Sequence, residues 1–233
     1  GVAVRPHAKT HKSPEVAAQQ IARGAVGVCV AKVAEAEAMV AGGVEDVLVA
    51  NEVVGRTKLL RLAELARSAQ VGVCVDDARQ VGALDEVAAA TGVRLRVLVE
   101  VDVGAGRCGS PPGEPVLALA RGIHSAQHLI FGGLQGYQGV AQHLRTPAER
   151  EAAVSAAAAA LRACVDLLAA DGLPCDVVTG GGTGTFLLDA ASTVYNEVQP
   201  GSYVFMDADY ARNQDATGSP AALSSSTTEF SLS

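Results

Sequence analysis

The stretch VGVCVDDARQVGALDEVAAATGVRLRVLVEVDV, residues 71–103, decides the fold class. Residues 71–75 form a valine-rich run of strand length, Asp76 and Asp77 are capping residues, and the helix they open runs to Thr91. A second apolar run, 95–103, follows and reads as the longest strand of the chain. Strand, helix and strand in this order make a βα unit that feeds a parallel sheet.

The alternation continues in both directions. Upstream, strands are expected over 2–9, 26–31 and 46–51. The helices between them begin at Pro14 behind a Ser13 cap, span 33–40 before Gly42 and Gly43, and span 57–68 with Leu59, Leu60, Leu62 and Leu65 as the buried stripe. Downstream come a helix at 115–126, a strand at 130–137, an alanine-dense helix at 147–170, a strand at 175–179 and an extended segment within 197–205. VGVCVA at 26–31 and VGVCVD at 71–76 echo each other, though too briefly to define a repeat.

Seven or eight such units in 233 residues imply an α/β fold, a (β/α)8 TIM-type barrel, with an open doubly wound sheet as the alternative. A core of Ala, Val and Leu, with 49% hydrophobic residues but only 3% aromatics, fits buried parallel strands under Ala-rich helices. The barrel domain is expected over 1–213. Residues 214–233, rich in Ser, Thr, Ala and Gly, read as a disordered tail.

A formal charge of −7 disfavours nucleic acid and anionic membrane as partners. No apolar stretch is read as approaching the roughly 18 to 20 residues of a membrane helix, and no signal peptide is recognised. Cys29, Cys74, Cys108, Cys164 and Cys175 form no CxxC pair, so neither a disulfide framework nor a zinc knuckle is implied, and a reducing, cytoplasmic compartment is expected. The start at Gly1, directly in a strand-like run, implies missing upstream residues.

Chemistry concentrates where barrel strands end. Lys9 ends the first strand, Asn51 and Glu52 the third, 102–107 the fifth, Gln135 and Tyr137 the sixth and 179–183 the seventh. In RPHAKTHK, 5–12, strand alternation places His7, Lys9 and His11 on one face and Ala8, Thr10 and Lys12 on the other. A lysine desolvated in a barrel mouth loses its proton readily and becomes a nucleophile. Spacing alone leaves open that both lysines are solvated strand ends. A metal site through His7 and His11 ranks lower, because HxxxH here lacks the central Glu of the zincin helix. DVGAGRCG, 102–109, suits the presentation of Arg107 to an anionic oxygen, or is a turn with a surface arginine. TGGGTGT, 179–185, lets backbone N–H groups approach a phosphate, or is a tight βα turn; QPGSY, 199–203, is a second Gly loop, beside FMDADY, 205–210.

Taken in order, RPHAKTHK, DVGAGRCG, GLQGYQG (133–139), TGGGTGT and VQPGSYVFMDADYARN (198–213) resemble the D-threonine aldolase and eukaryotic-type D-serine dehydratase family, including its 3-hydroxy-D-aspartate aldolases. The resemblance implies a barrel of alanine-racemase N-terminal type that binds pyridoxal 5'-phosphate. It implies Lys9 as the Schiff-base lysine and not Lys12, Arg107 at the cofactor phenolic oxygen, and Tyr137 against the pyridine ring. It further implies Gly181, Gly182, Gly201 and Ser202 in two phosphate-holding loops beside Tyr203. Gln135 and Thr179, at neighbouring strand ends, complete the expected cofactor-binding set, with Lys9, Tyr137 and Arg107 as the catalytic residues. Gln199 stands where alanine racemases carry an arginine opposite the pyridine nitrogen, which counts against a racemase.

The implied activity is a lyase reaction on small D-3-hydroxy amino acids, either retro-aldol cleavage or dehydration, by a homodimer. The alternatives are a non-catalytic pyridoxal-phosphate-binding barrel or a racemase-like enzyme. The family also carries a C-terminal β domain that supplies the ligands of a divalent metal. That domain, and the usual first strand ahead of RPHAKTHK, are expected to be absent here, so no metal ligand is assigned.

Overall fold

Each valine-rich run becomes a strand buried on both faces, one against a ring of helices and the other against the strands across the barrel. A computed structural model describes residues 1–215 and 217–219. Its eight strands are β1 (Ala3–Val4), β2 (Val28–Val30), β3 (Asp46–Glu52), β4 (Gln70–Val75), β5 (Leu95–Glu100), β6 (Leu129–Gly136), β7 (Val177–Gly180) and β8 (Glu197–Val198). All pairings are parallel, in the order β1-β8-β7-β6-β5-β4-β3-β2. Backbone bonds bring the ends of this order together: Val26 N donates to Val4 O at 3.0 Å, Cys29 N to Pro6 O at 2.8 Å, and Ala8 N to Cys29 O at 2.7 Å. The segment carrying RPHAKTHK is thus the first of eight strands around the ring.

The helices are α1 (Pro14–Ile21), α2 (Val33–Ala41), α3 (Arg56–Leu65), α4 (Ala78–Thr91), α5 (Glu114–Ser125), α6 (Pro147–Ala170) and α7 (Phe186–Ala191). Ser13 Oγ caps α1 and Asp77 caps α4, while the Asp76 carboxylate instead accepts from Gly109 N at 3.0 Å and ties the loop after β5 to the end of β4. Outside the barrel, Val, Leu and Ala from strands and helices share one core; inside, Cys29, Leu48, Cys74 and Leu98 form a small plug. Cys29 and Cys74 are fully buried free thiols with packing roles.

Several elements depart from the sequence reading. β1 pairs only over Ala3–Val4, and the chain turns immediately after His7, because His11 N and Lys12 N both bond to Ala8 O. The segment 95–103 is not the longest strand. β5 ends at Glu100, where Asp102 Oδ1 accepts from Gly104 N and Gly106 N and rounds the chain into a loop; β6, with eight residues, is the longest. Of 197–205, only Glu197–Val198 is strand, and α7 is a helix that the sequence does not predict. The 24-residue α6 is long and apolar enough, by length and composition, to cross a membrane, contrary to the reading of the apolar runs. Its apolarity comes largely from alanines. Val154, Ala157, Leu161, Cys164 and Leu168, spaced at three to four residues, are its buried side, and the helix packs on β6 and α5. Of the expected tail, Gln214 N bonds to Arg145 O at 2.7 Å, while 216 and 220–233 lie outside the described residues.

The N-terminal end of the barrel is closed by charge. Arg5 Nε donates to Glu197 at 2.9 Å and its Nη1 to Asp46 at 2.8 Å, and Arg96 Nη2 reaches Asp46 at 2.6 Å. Arg5 and Glu197 are almost fully buried, so removing one leaves the other poorly compensated in a low-dielectric interior. Glu197→Ala is expected to cost about 3 kcal/mol of stability, read as a lower urea midpoint; an unchanged midpoint would show that Asp46 alone suffices for Arg5.

Candidate active site

The opposite end of the barrel, where the strands finish, holds a cavity with about 490 Å³ of free space, partly open to solvent. The segments that follow β1, β5, β6, β7 and β8 line it, with Ala50 from within β3. The turn at 8–11 brings Lys9 and Thr10 to the cavity beside the buried His7; the loop after β5 brings Arg107; β6 and its exit bring Gln135 and Tyr137. Gly181, Gly182 and Thr183 after β7, and Gln199, Gly201 and Ser202 after β8, complete the far wall.

Eight of the ten residues expected to hold the cofactor therefore line one cavity: Lys9, Arg107, Tyr137, Gln135, Gly181, Gly182, Gly201 and Ser202. Thr179 lies fully buried beneath it, its Oγ1 accepting from Gln199 Nε2 at 2.8 Å. The Tyr203 hydroxyl is bonded to Gln20 Nε2 of α1 at 2.7 Å, outside the lining, while its backbone N–H donates to Thr183 Oγ1 at 3.1 Å and joins the two glycine loops. His11 also lies outside the lining, since the turn breaks the alternation that would have set it beside His7; its Nδ1 accepts from Ser13 N.

The electrostatics single out Lys9. Partial burial first, and the Arg107 guanidinium second, hold its pKa below the ordinary lysine value. His7 is pushed down to about 3 by burial and then by Lys9, so it is a neutral imidazole, and its Nδ1 accepts the Lys9 backbone N–H. Arg107 sits with Cζ 5.8 Å from the centroid of the Tyr137 ring, close enough for a cation–π contact. Burial raises the Tyr137 phenol to about 12, leaving it protonated.

The glycine loops leave backbone donors beside the cavity. The backbone N–H groups of Gly182, Thr183, Gly201 and Ser202 belong to cavity-lining residues and have no protein acceptor among the described residues. Gly181 has φ +70°, and a Cβ on it would lie 2.5 Å from Asp189 Oδ2; one on Gly182 would lie 2.6 Å from Gln142 Oε1. Behind the loop, buried Gln142 accepts from Gly184 N at 2.9 Å and donates to Thr185 Oγ1 at 2.8 Å, and Thr185 donates to Asp189 at 2.6 Å. Burial raises Asp189 to about 6.

The floor is a buried polar row. Gln135 Nε2 donates to Glu100 Oε2, and Gln199 Nε2 donates to Gln135 Oε1 at 2.9 Å. Burial, then the nearby Glu52, raise Glu100 to about 8. The sequence does not announce Glu100 and Gln142, whose partners lie 35 and 43 residues away, nor Asp189, which sits in the short α7. Among the described residues, no three His, Cys, Asp or Glu side chains gather as metal ligands.

Comparison with known proteins gives this arrangement a context. The family described as the alanine racemase N-terminal domain matches residues 2–209. A D-threonine aldolase from an Arthrobacter species is 48% identical over 213 residues, covering 91% of this chain and 56% of that protein. A 3-hydroxy-D-aspartate aldolase from Paracoccus denitrificans (strain Pd 1222) is 46% identical over 220 residues, covering 94% and 57%. Among solved structures, the D-threonine aldolase from Filomicrobium marinum superposes with a TM-score of 0.91 at 52% identity, over 92% of this chain and 58% of that one. The chain thus spans little more than half the length of these relatives, and it belongs to the alanine racemase N-terminal domain family.

Proposed function

We propose that this barrel binds pyridoxal 5'-phosphate and serves a lyase that cleaves D-3-hydroxy amino acids by retro-aldol reaction. One observation carries the reading: a single cavity joins a lysine of depressed pKa to two glycine loops in which the N–H groups of Gly182, Thr183, Gly201 and Ser202 have no protein acceptor among the described residues. Kinship at 46–48% identity with two aldolases supports cleavage over the dehydration carried by the name of a 32% identical relative, a D-threo-3-hydroxyaspartate dehydratase.

The residues fit the cofactor. The backbone N–H groups of Gly182, Thr183, Gly201 and Ser202 suit a phosphate, and close packing behind the loop fixes them without side chains. Arg107 offers a guanidinium to a phenolic oxygen, and the broad face of Tyr137 supports a planar ring. When bound, pyridoxal phosphate supplies the electron sink for bond cleavage at the substrate α-carbon. Lys9 Nζ, deprotonated more readily than a free lysine, would supply the neutral amine that holds the cofactor's aldehyde carbon. Neutral His7 beneath it adds no competing positive charge. Retro-aldol cleavage would break the Cα–Cβ bond as the β-hydroxyl gives up its proton and forms the aldehyde carbonyl; the electron pair left on Cα would be held by the cofactor ring until a proton returns to Cα, and the products are a glycine-type amino acid and an aldehyde. The divalent metal that the family resemblance implies finds no ligand set among the described residues, and no step here depends on it.

The protein incubated with pyridoxal phosphate, D-threonine and a divalent cation is expected to release glycine and acetaldehyde. Bound cofactor with no turnover of D-threonine or D-3-hydroxyaspartate would instead favour a cofactor-binding barrel without activity of its own.

A further inference from the structure

We propose that Glu100, acting through Gln135, fixes the side-chain amide of Gln199 with its oxygen toward the cavity, so that the floor accepts a hydrogen bond from a protonated cofactor ring nitrogen. The proposal deepens the pyridoxal-phosphate reading and rests on it.

The row is built by strand register. Glu100 pairs with Gln135 across β5 and β6, and Gln135 with Thr179 across β6 and β7, so the three side chains stand side by side at one level of the barrel. Glu100, Gln135 and Thr179 are 3%, 2% and 0% exposed, which leaves no water to rescue a mispaired group. A glutamine amide has one donor end and one acceptor end. The carboxyl oxygen of Glu100 takes the donor end of Gln135, which turns Gln135 Oε1 toward Gln199. Gln199 must then answer with its own N–H₂, one hydrogen to Gln135 at 2.9 Å and the other to Thr179 Oγ1 at 2.8 Å. Both hydrogens are used. Among the described residues Gln199 Oε1 has no protein partner; it is accessible, and Gln199 lines the cavity.

The direction of the whole row is therefore set at its far end. Burial and the neighbouring Glu52 carboxylate favour the protonated form of Glu100, and in the observed arrangement Glu100 Oε2 accepts from Gln135, a role it keeps as a carboxylate or as a carboxyl whose proton sits on the other oxygen. A donor in place of Glu100 would reverse each amide in turn and present N–H₂ to the cavity.

An acceptor floor selects among the groups of pyridoxal phosphate. Its phosphate oxygens and phenolate are acceptors suited to the N–H cradle and Arg107, and its aldehyde is addressed by Lys9. The ring nitrogen alone becomes an N–H donor on protonation, and a protonated ring withdraws electrons more strongly. Glu100 is thus a positioning residue for the cofactor's electronic state, and it touches neither cofactor nor substrate.

The test uses pyridoxal phosphate labelled with ¹⁵N in the ring, bound to the full-length protein and followed by ¹⁵N NMR against pH. The wild type is expected to hold a protonated ring nitrogen at neutral pH. Glu100→Met is expected to lower the proton affinity of that nitrogen at least tenfold, about one pKa unit, while Lys9 still captures the cofactor. Glu100→Gln, whose side-chain oxygen can still accept from Gln135, is expected to restore the wild-type titration, which separates bond direction from charge. If Glu100→Met does not fold, Gln135→Met severs the same row and is read in the same way. An unprotonated nitrogen in the wild type, or a variant with a severed row that titrates like the wild type, overturns the proposal. A wild type that takes up no pyridoxal phosphate overturns the functional reading beneath it.

Discussion

Lys9→Ala is expected to abolish covalent capture of pyridoxal phosphate, so that borohydride reduction followed by peptide mapping finds no label in residues 6–12, and to lower turnover by about 10³-fold or more, the scale of a lost proton-transferring group. The neighbouring Lys12→Ala is expected to leave capture intact. The two lysines are three residues apart and physically unlike. Lys12 has φ 53° on the outer side of the turn, with a side chain 64% exposed and 3.8 Å from Glu35. Lys9 faces the cavity, where burial and Arg107 favour its neutral form. The sign of the pH dependence follows. Capture needs the neutral amine, so it rises with pH through the Lys9 pKa and reaches half-maximum below the ordinary lysine value. Label recovered on Lys12, or a half-point at the value of free lysine, would remove Lys9 from this role.

Gly182→Val is expected to weaken pyridoxal phosphate by about 100-fold, the loss of about 2.7 kcal/mol, and pyridoxal without phosphate only slightly. A Cβ at this position would come within 2.6 Å of Gln142 Oε1, the atom that holds Gly184 N. Either the loop or Gln142 must move, and the amide groups that face the anion lose their common aim. Hydrogen bonds to a charged acceptor are worth about 1.5–3 kcal/mol each, so misplacing one or two accounts for the effect. Titration of both ligands followed by absorbance separates the cases: equal weakening of the two would mean that the loop shapes the ring site and does not hold phosphate.

The fold was legible in the chain because buried parallel strands need continuous apolar runs and the helices between them need caps and stops. Residues 71–103 carry all of these signals within one unit. The candidate site was legible where chemistry is local: glycines cluster at 180–182 because a backbone must approach closely, and Lys9 and Arg107 stand at strand exits. What stayed hidden depends on distant partners. Nothing near Glu100 in sequence announces Gln135, which reaches it only through sheet register. The six-residue α7 is silent in the sequence because FLLDAA is too short to show a helical period. The turn after His7 defeated the alternation rule because two amides converge on one carbonyl, that of Ala8, and RPHAKTHK carries no glycine to mark it.

The junction of β1 with β8 spans two residue pairs, Ala3 with Glu197 and Val4 with Val198, against six for β5 with β6. It is a short lateral seam between the first and last strands of the ring, and the cavity lies directly over its upper end. His7 N bonds to Pro200 O at 3.0 Å there, with Lys9 and Thr10 on one side and Gly201 and Ser202 on the other. A molecule gripped by both sides is a clasp across that seam. Its binding free energy adds to the hydrogen bonds that close the ring, and the barrel gains resistance to local opening at one of its shortest ladders.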